Sequence, residues 1–140
     1  MIRSRKKKIG IFGGSFDPPH KGHLAISKLA VKKLFLDQIY WCVTKKNPFK
    51  NKAFFSLSER IKKSKIITNK EKKIKIKYFE DKLKSTNTID LIEYLRKKNK
   101  KNILFLIIGS DNLIKFHKWK SWKLLSKLAQ IVVFSRKDFD

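Results

Sequence analysis

"GIFGGSFDPPHKGH", residues 10–23, holds four of the chain's five glycines, two of its three prolines and two of its three histidines. Upstream, "KIGIFG" (8–13) is a short apolar run that reads as a strand. Downstream, "GHLAISKLAVKKLF" sets Leu24, Ile26, Leu29, Ala30 and Leu34 at helical spacing from about Gly22, with Val31 and Phe35 widening the stripe. The stretch is therefore the turn between a first strand and a first helix.

The same alternation continues along the chain. "QIYWCV" (38–43) is rich in β-formers, and Ser56 and Glu59 in "SLSE" fit a capping box opening a helix through about Ile67. "KIKIKYF" (73–79) alternates strictly, predicting a half-exposed strand at a sheet edge. "TIDLIEYLRKK" carries Ile89, Ile92 and Leu95 on one helical face, and "NILFLIIG" (102–109) is continuously apolar, predicting a strand buried on both faces. A short helical stretch, "DNLIKFHKW", and a helix, "SWKLLSKLA", lead to a fifth strand, "QIVVFS" (130–135). Five alternations predict an α/β fold: a Rossmann-like, doubly wound parallel sheet, helices on both faces, strand order 3-2-1-4-5. In that order strands one and four are neighbours whose connections leave in opposite directions. The glycines cluster at their ends, Gly10, Gly13, Gly14 and Gly22 around the first and Gly109 at the fourth. They are expected to be close-approach positions flanking one ligand crevice.

Composition bounds what such a domain does. One hundred and forty residues fit one domain, 1–140, and 41% hydrophobic residues suffice for a real core. Cys42 is the sole cysteine, so no disulfide forms within the chain and a reducing, cytoplasmic setting is the simpler expectation. The basic start "MIRSRKKK" is followed by "IGIFGG", too short for a signal-peptide core, and the longest apolar run, "ILFLII", is too short to span a membrane. The net charge of +25 invites a nucleic-acid reading. Against it, the basic residues are 31 Lys and 5 Arg, spread along the chain, whereas bidentate readout favours Arg. A solvated, lysine-biased surface is the better reading; the remainder is a field that draws polyanions, nucleotides included.

The loop itself is neither GxGxxG nor a Walker A sequence. Gly13 and Gly14 let backbone N–H groups approach a phosphate, and Asp17-Pro18-Pro19 makes a stiff turn. Gly22 opens a helix whose N-terminus favours an anion. His20 and His23, three apart at that helix start, can point at one spot. Phosphate contacts are the favoured role. Metal ligation lacks a third ligand, because Cys42 falls in the apolar second strand.

"GGSFDPPHKGH" resembles the signature of the nucleotidylyltransferase superfamily with the [HT]-x-G-H motif, here His20-Lys21-Gly22-His23. Together with "VTKKNPFKN", "IIGSDNL", "FHKWKSWKLL" and "IVVFSRKDFD", it is similar to one branch, the bacterial nicotinate-nucleotide adenylyltransferases, from about Lys8 to Asp140. The resemblance implies transfer of AMP from ATP to nicotinate mononucleotide, with Mg²⁺ and without a covalent enzyme intermediate. It implies that Gly13, Gly14, Ser15, Phe16 and Gly22 bind ATP phosphates and that His20 and His23 stabilise charge on the α-phosphoryl group. Lys50 is implied near the reacting phosphates, assisted by Lys45 and Lys46, with Arg136 also near them. Gly109 and Asp111 are implied to line the nucleotide crevice, and Thr88 to contact the nicotinate end. Trp119 is implied to stack on the pyridine ring, and the Lys120 amide to meet its carboxylate.

Each assignment has a plainer rival. Asp111 and Thr88 also suit helix caps. Trp119 competes with Trp122 for a core position, Lys50 is one lysine among many, and His117 is read as structural. The family pattern continues past the fifth strand to an I-S-x-T-x-I-R motif at a triphosphate-binding helix, which these 140 residues do not include. A fragment and a shortened family member are both expected readings, the latter with a bare fifth-strand edge favouring self-association. Another acceptor, nicotinamide mononucleotide or phosphopantetheine, and an inactive polyanion-binding remnant remain as alternatives.

Overall fold

Five parallel strands, β1 (Lys8–Gly14), β2 (Gln38–Val43), β3 (Ile74–Lys77), β4 (Ile103–Gly109) and β5 (Gln130–Phe134), form one sheet in the order β3-β2-β1-β4-β5. They are seen in a computed structural model that describes residues 6–45 and 53–135. Six α-helices connect them: α1 (Lys21–Leu34), α2 (Leu57–Ile67), α3 (Glu80–Leu83), α4 (Thr88–Lys98), α5 (Ser110–Lys115) and α6 (Trp122–Leu128). A 3₁₀ turn, Phe116–Lys118, lies between the last two helices. The predicted doubly wound order is the observed one.

The strand faces explain the winding. In β4, Leu104, Leu106 and Ile108 join one core with Ile89, Ile92 and Leu95 of α4 and Leu125 of α6. Phe105 and Ile107 point to the opposite core with Ala30 of α1, Ile39, Trp41 and Ile74. A run with no polar alternation is thus buried on both sides. Each fully buried aliphatic side chain contributes about 1.5–3 kcal/mol relative to exposure. Two elements depart from the sequence reading. The third strand is four residues, not seven, because the chain leaves the sheet after Lys77 and turns Phe79 onto Tyr94 of α4, ring centroids 5.8 Å apart. The one-turn helix α3 then follows, a feature the alternating pattern concealed.

Gly10 also departs from its expected role. A Cβ there would lie 2.8 Å from Leu36 Cδ1 and 3.1 Å from both Ile107 Cδ1 and Ile39 Cγ1. It is a packing glycine under the α1–β2 connection, not part of a ligand approach. At Gly13 the nearest atom to an added Cβ is Cys42 O at 3.9 Å, and at Gly109 nothing lies within 4 Å. Those two positions are the open ones. They sit at the C-terminal ends of adjacent strands, where the connections diverge and doubly wound folds bind ligands.

Candidate active site

The loop after β1 delivers both motif histidines to the start of α1, where they cap the helix and each other. His20 is the N-cap: its Nδ1 accepts from the Gly22 N–H at 3.0 Å, while its own N–H donates to His23 Nδ1 at 3.0 Å. The rings lie 3.9 Å apart between centroids, tilted by 32°. This is a capping box built from imidazoles, with no acidic residue in the helix's first turn. An Nδ1 that accepts from a backbone amide carries no proton, so each neutral ring bears its hydrogen on Nε2. Two Nε2–H donors side by side suit phosphate oxygens. The Gly22 amide expected to meet phosphate is here used by His20, so the helix offers its dipole and two imidazole edges.

His23 is pressed into aromatic surroundings. Its ring centroid lies 4.7 Å from Phe16, 5.8 Å from Trp41 and 6.0 Å from Phe12. Burial first, and the charge of His20 second, push its pKa down to about 4. It therefore acts at neutral pH as a hydrogen-bond donor and not as a cation. Behind it, Trp41 Nε1–H donates to Ser27 Oγ at 2.7 Å, and the Ser27 hydroxyl donates to the His23 carbonyl at 2.8 Å. This relay ties the first turn of α1 to β2.

Phe16 also anchors the loop through its side chain. Its side chain is buried, stacked on Trp41 at 4.7 Å and 9°, and its φ is 49°, an uncommon left-handed conformation for a bulky residue. A Cβ on Gly14 would meet this ring at 3.4 Å, an ordinary van der Waals contact, so packing alone does not demand a glycine there. The peptide between Asp17 and Pro18 is cis.

Two residues missed in the sequence reading tie the loop down. The Asp17 carboxylate accepts from the N–H groups of Phe54 and Phe55 at 2.6 and 2.7 Å. Arg60 of α2, 1% exposed, donates from Nη1 to the carbonyls of Ser15 and Thr44, from Nη2 to Lys45 and from Nε to Phe55, at 2.7–3.1 Å. Asp17 looked like a turn former, and Arg60 was one of 36 basic residues. No local signal marks Arg60: it stands between Glu59 and Ile61, with Ser56, Lys63 and Ser64 on the same helical turns, a pattern that reads as a solvated face.

The remaining candidates are placed as follows. Asp111 is exposed in the first turn of α5, whose N-cap is Gly109, so it is not the cap. Thr88 is the first helical residue of α4, after Asn87 at the cap. Beside it lies a cavity of about 590 Å³ lined by residues including Lys45, Tyr78, Asp81, Ser85 and Asn87. Trp119 is half-buried, 5.2 Å from Phe116, which also meets Trp122 at 6.2 Å, and both tryptophans pack on the α4–α6 core. Lys120 and His117 are exposed. Burial pushes the Cys42 thiol up to about 12, so it is a poor ligand or nucleophile. Lys46, Lys50 and Arg136 lie outside the described residues. A second cavity, about 500 Å³ and lined by Lys6, Arg96, Lys100 and Lys127 among others, sits at the N-terminal ends of β4 and β5, the opposite pole from this loop.

A strand–loop–helix unit whose helix start carries two mutually capping imidazoles, in a sheet with open glycine flanks at Gly13 and Gly109, suits a nucleotidyl-transferring domain. The cytidylyltransferase-like family model matches residues 11–140, and the chain belongs to that family. Among its curated relatives, a probable nicotinate-nucleotide adenylyltransferase of Pelagibacter ubique is 51% identical over 138 residues, 99% of this chain and 76% of that one. The protein of the same name from Nitratiruptor is 44% identical, over 94% of this chain and 75% of its own length. Among solved structures, a putative nicotinate-nucleotide adenylyltransferase from Vibrio parahaemolyticus superposes with a TM-score of 0.76, covering 91% of this chain and 76% of that one. The Plasmodium falciparum nicotinic acid mononucleotide adenylyltransferase complexed with NaAD gives 0.78, over 96% and 67%. Both are 22% identical and share the fold.

Proposed function

We infer that the protein is an adenylyltransferase of NAD biosynthesis, transferring AMP from ATP to nicotinate mononucleotide to give nicotinate adenine dinucleotide and pyrophosphate. The observation that carries this is the reciprocal histidine cap, read with the names of the relatives. A phosphate oxygen of the mononucleotide attacks the α-phosphorus of ATP in line. The new P–O bond forms as the bond to the bridging α,β-oxygen breaks, and pyrophosphate leaves with that electron pair. Two anions must meet, so positioning and charge stabilisation carry the rate.

In this reading His20 and His23 donate from Nε2 to the phosphoryl oxygens, and the backbone of Gly13, Gly14, Ser15 and Phe16, with the Ser15 hydroxyl, contacts the phosphates. Lys50 and Arg136 supply positive charge there, aided by Lys45 and Lys46. The open flank of Gly109 admits the nucleotide, and Asp111 accepts from a ribose or substrate hydroxyl. Thr88, the face of Trp119 and the Lys120 amide hold the nicotinate end. Magnesium belongs to the reading as the companion of the triphosphate. Among the described residues no three or more His, Cys, Asp or Glu gather at one point, so the ion would arrive with the triphosphate and not in a cage of these side chains. No helix among the described residues is long and apolar enough to cross a membrane; a cytoplasmic location is part of the proposal.

The test is pyrophosphate release from ATP, Mg²⁺ and nicotinate mononucleotide, with nicotinamide mononucleotide and phosphopantetheine as competing acceptors. His20→Ala and His23→Ala should each lower kcat by about 10²–10³-fold with the far-ultraviolet spectrum retained. Wild-type protein that releases no pyrophosphate with the nicotinate acceptor overturns the assignment.

A further inference from the structure

Arg60 takes no part in the roles just assigned, yet it is among the most deeply buried large side chains of the described protein. Burying a guanidinium is costly unless its donors are satisfied. Here four N–H groups reach carbonyls from three separate segments: Ser15 in the loop after β1, Thr44 and Lys45 after β2, and Phe55 just before α2. Lysine, with three donors at one point, cannot span these acceptors, whereas the planar fork can.

The bond to Ser15 has a specific geometric meaning. In a trans peptide the C=O and the following N–H point in opposite directions. With the Ser15 oxygen drawn to the buried guanidinium at 2.8 Å, the Phe16 N–H is turned away from the interior. Phe16 holds this orientation in a left-handed conformation, φ 49°, with its ring locked on Trp41. A non-glycine residue kept there needs its surroundings to impose the geometry. Asp17, the next residue, then grips the amides of Phe54 and Phe55, and Arg60 holds the carbonyl of that same Phe55. The loop after β1 and the segment before α2 are thus closed on each other by a carboxylate and a guanidinium.

We propose that Arg60 is a positioning residue for triphosphate recognition: it orients the Ser15–Phe16 peptide so that the Phe16 N–H faces the phosphates, and with Asp17 it docks the segment before α2 against the same loop. This rests on the adenylyltransferase reading above. Arg60 touches no substrate. Its buried charge adds a fixed positive potential beneath the loop, felt more strongly there than in water.

Wild type, Arg60→Lys and Arg60→Met are compared for ATP affinity by calorimetry without acceptor, and for KM of each substrate and kcat. Ile92→Val, in the opposite core, serves as a control for lost stability alone. Both Arg60 variants should lose ATP affinity and kcat/KM for ATP by on the order of 100-fold, as for a roughly 1 Å misplacement of a donor. KM for the mononucleotide should move less than about threefold, and Ile92→Val should bind ATP as wild type does. Should neither Arg60 variant fold, Asp17→Asn, which keeps shape but weakens the grip on two amides, must raise the Kd for ATP at least about fivefold. ATP affinity unchanged in whichever of these variants fold overturns the proposal. Wild type that binds ATP but transfers nothing sinks the functional reading instead, and the affinity comparison still decides the role of Arg60.

Discussion

Acid should unfold this protein through His23, and the size of the effect follows from its surroundings. The unfolded chain takes up a proton on this ring near its ordinary value of 6.5, whereas the native ring stays neutral until about 4. Between those values the unfolded state binds more protons than the native state, so stability falls as pH falls through that window. Well above pH 6.5 neither state is protonated at His23, and well below about 4 both are, so the slope from this group fades out on either side. At pH 4.5, two units under the unfolded value, the loss is at most about 2.5 kcal/mol, from about 1.4 kcal/mol per unit. Protonation of Nδ1 would also set a hydrogen against the His20 N–H and open the cap. His23→Asn offers an oxygen to the same amide and does not titrate. Urea unfolding of both proteins at pH 7 and pH 4.5 isolates the effect: wild type should lose about 2.5 kcal/mol more than the variant. Equal losses would refute the claim that the aromatic enclosure keeps His23 neutral.

Two glycines separate packing from function. Gly10→Ala should destabilise by about 1–3 kcal/mol, because three side chains already crowd the added methyl. Gly109→Ala should change stability by less than about 0.5 kcal/mol yet raise KM for ATP, since only a ligand would meet its methyl; thermal melts with kinetics distinguish them. Ser64 Oγ is buried with no partner among the described residues. Ser64→Ala should therefore be neutral or stabilising by up to about 1 kcal/mol, and a clear loss in denaturant unfolding would show that the hydroxyl has a partner after all.

Much of the fold was legible because its signals were local. The uninterrupted run of β4 can be satisfied only between two apolar layers, and the punctuation of helices and strands left one economical topology. The alternation of residues 73–79 misled because period two describes a local preference, whereas Phe79 is captured by Tyr94, a partner distant in sequence. In the site, the histidine pair was visible as spacing, but its reciprocal capping depends on ring orientation, which spacing does not encode. Gly10 was grouped with the ligand-approach glycines because nothing in the sequence reveals that Leu36, Ile39 and Ile107 crowd it. Arg60 was hidden by its own chemistry: in a chain of 36 basic residues, a charge type conveys little until burial singles it out.

The imidazole cap also sets a limit on how this protein can be engineered. The usual way to strengthen a helix start is to place Asp or Ser at the cap and Glu three residues on. At α1 those changes would satisfy the same two amides, and the carboxylates would be drawn to the same positive end of the helix that an incoming polyphosphate needs. A neutral ring satisfies the amides without occupying that end. A stability screen blind to activity would thus favour carboxylates at positions 20 and 23, and the variants it selected would be sturdier proteins that repel their own substrate.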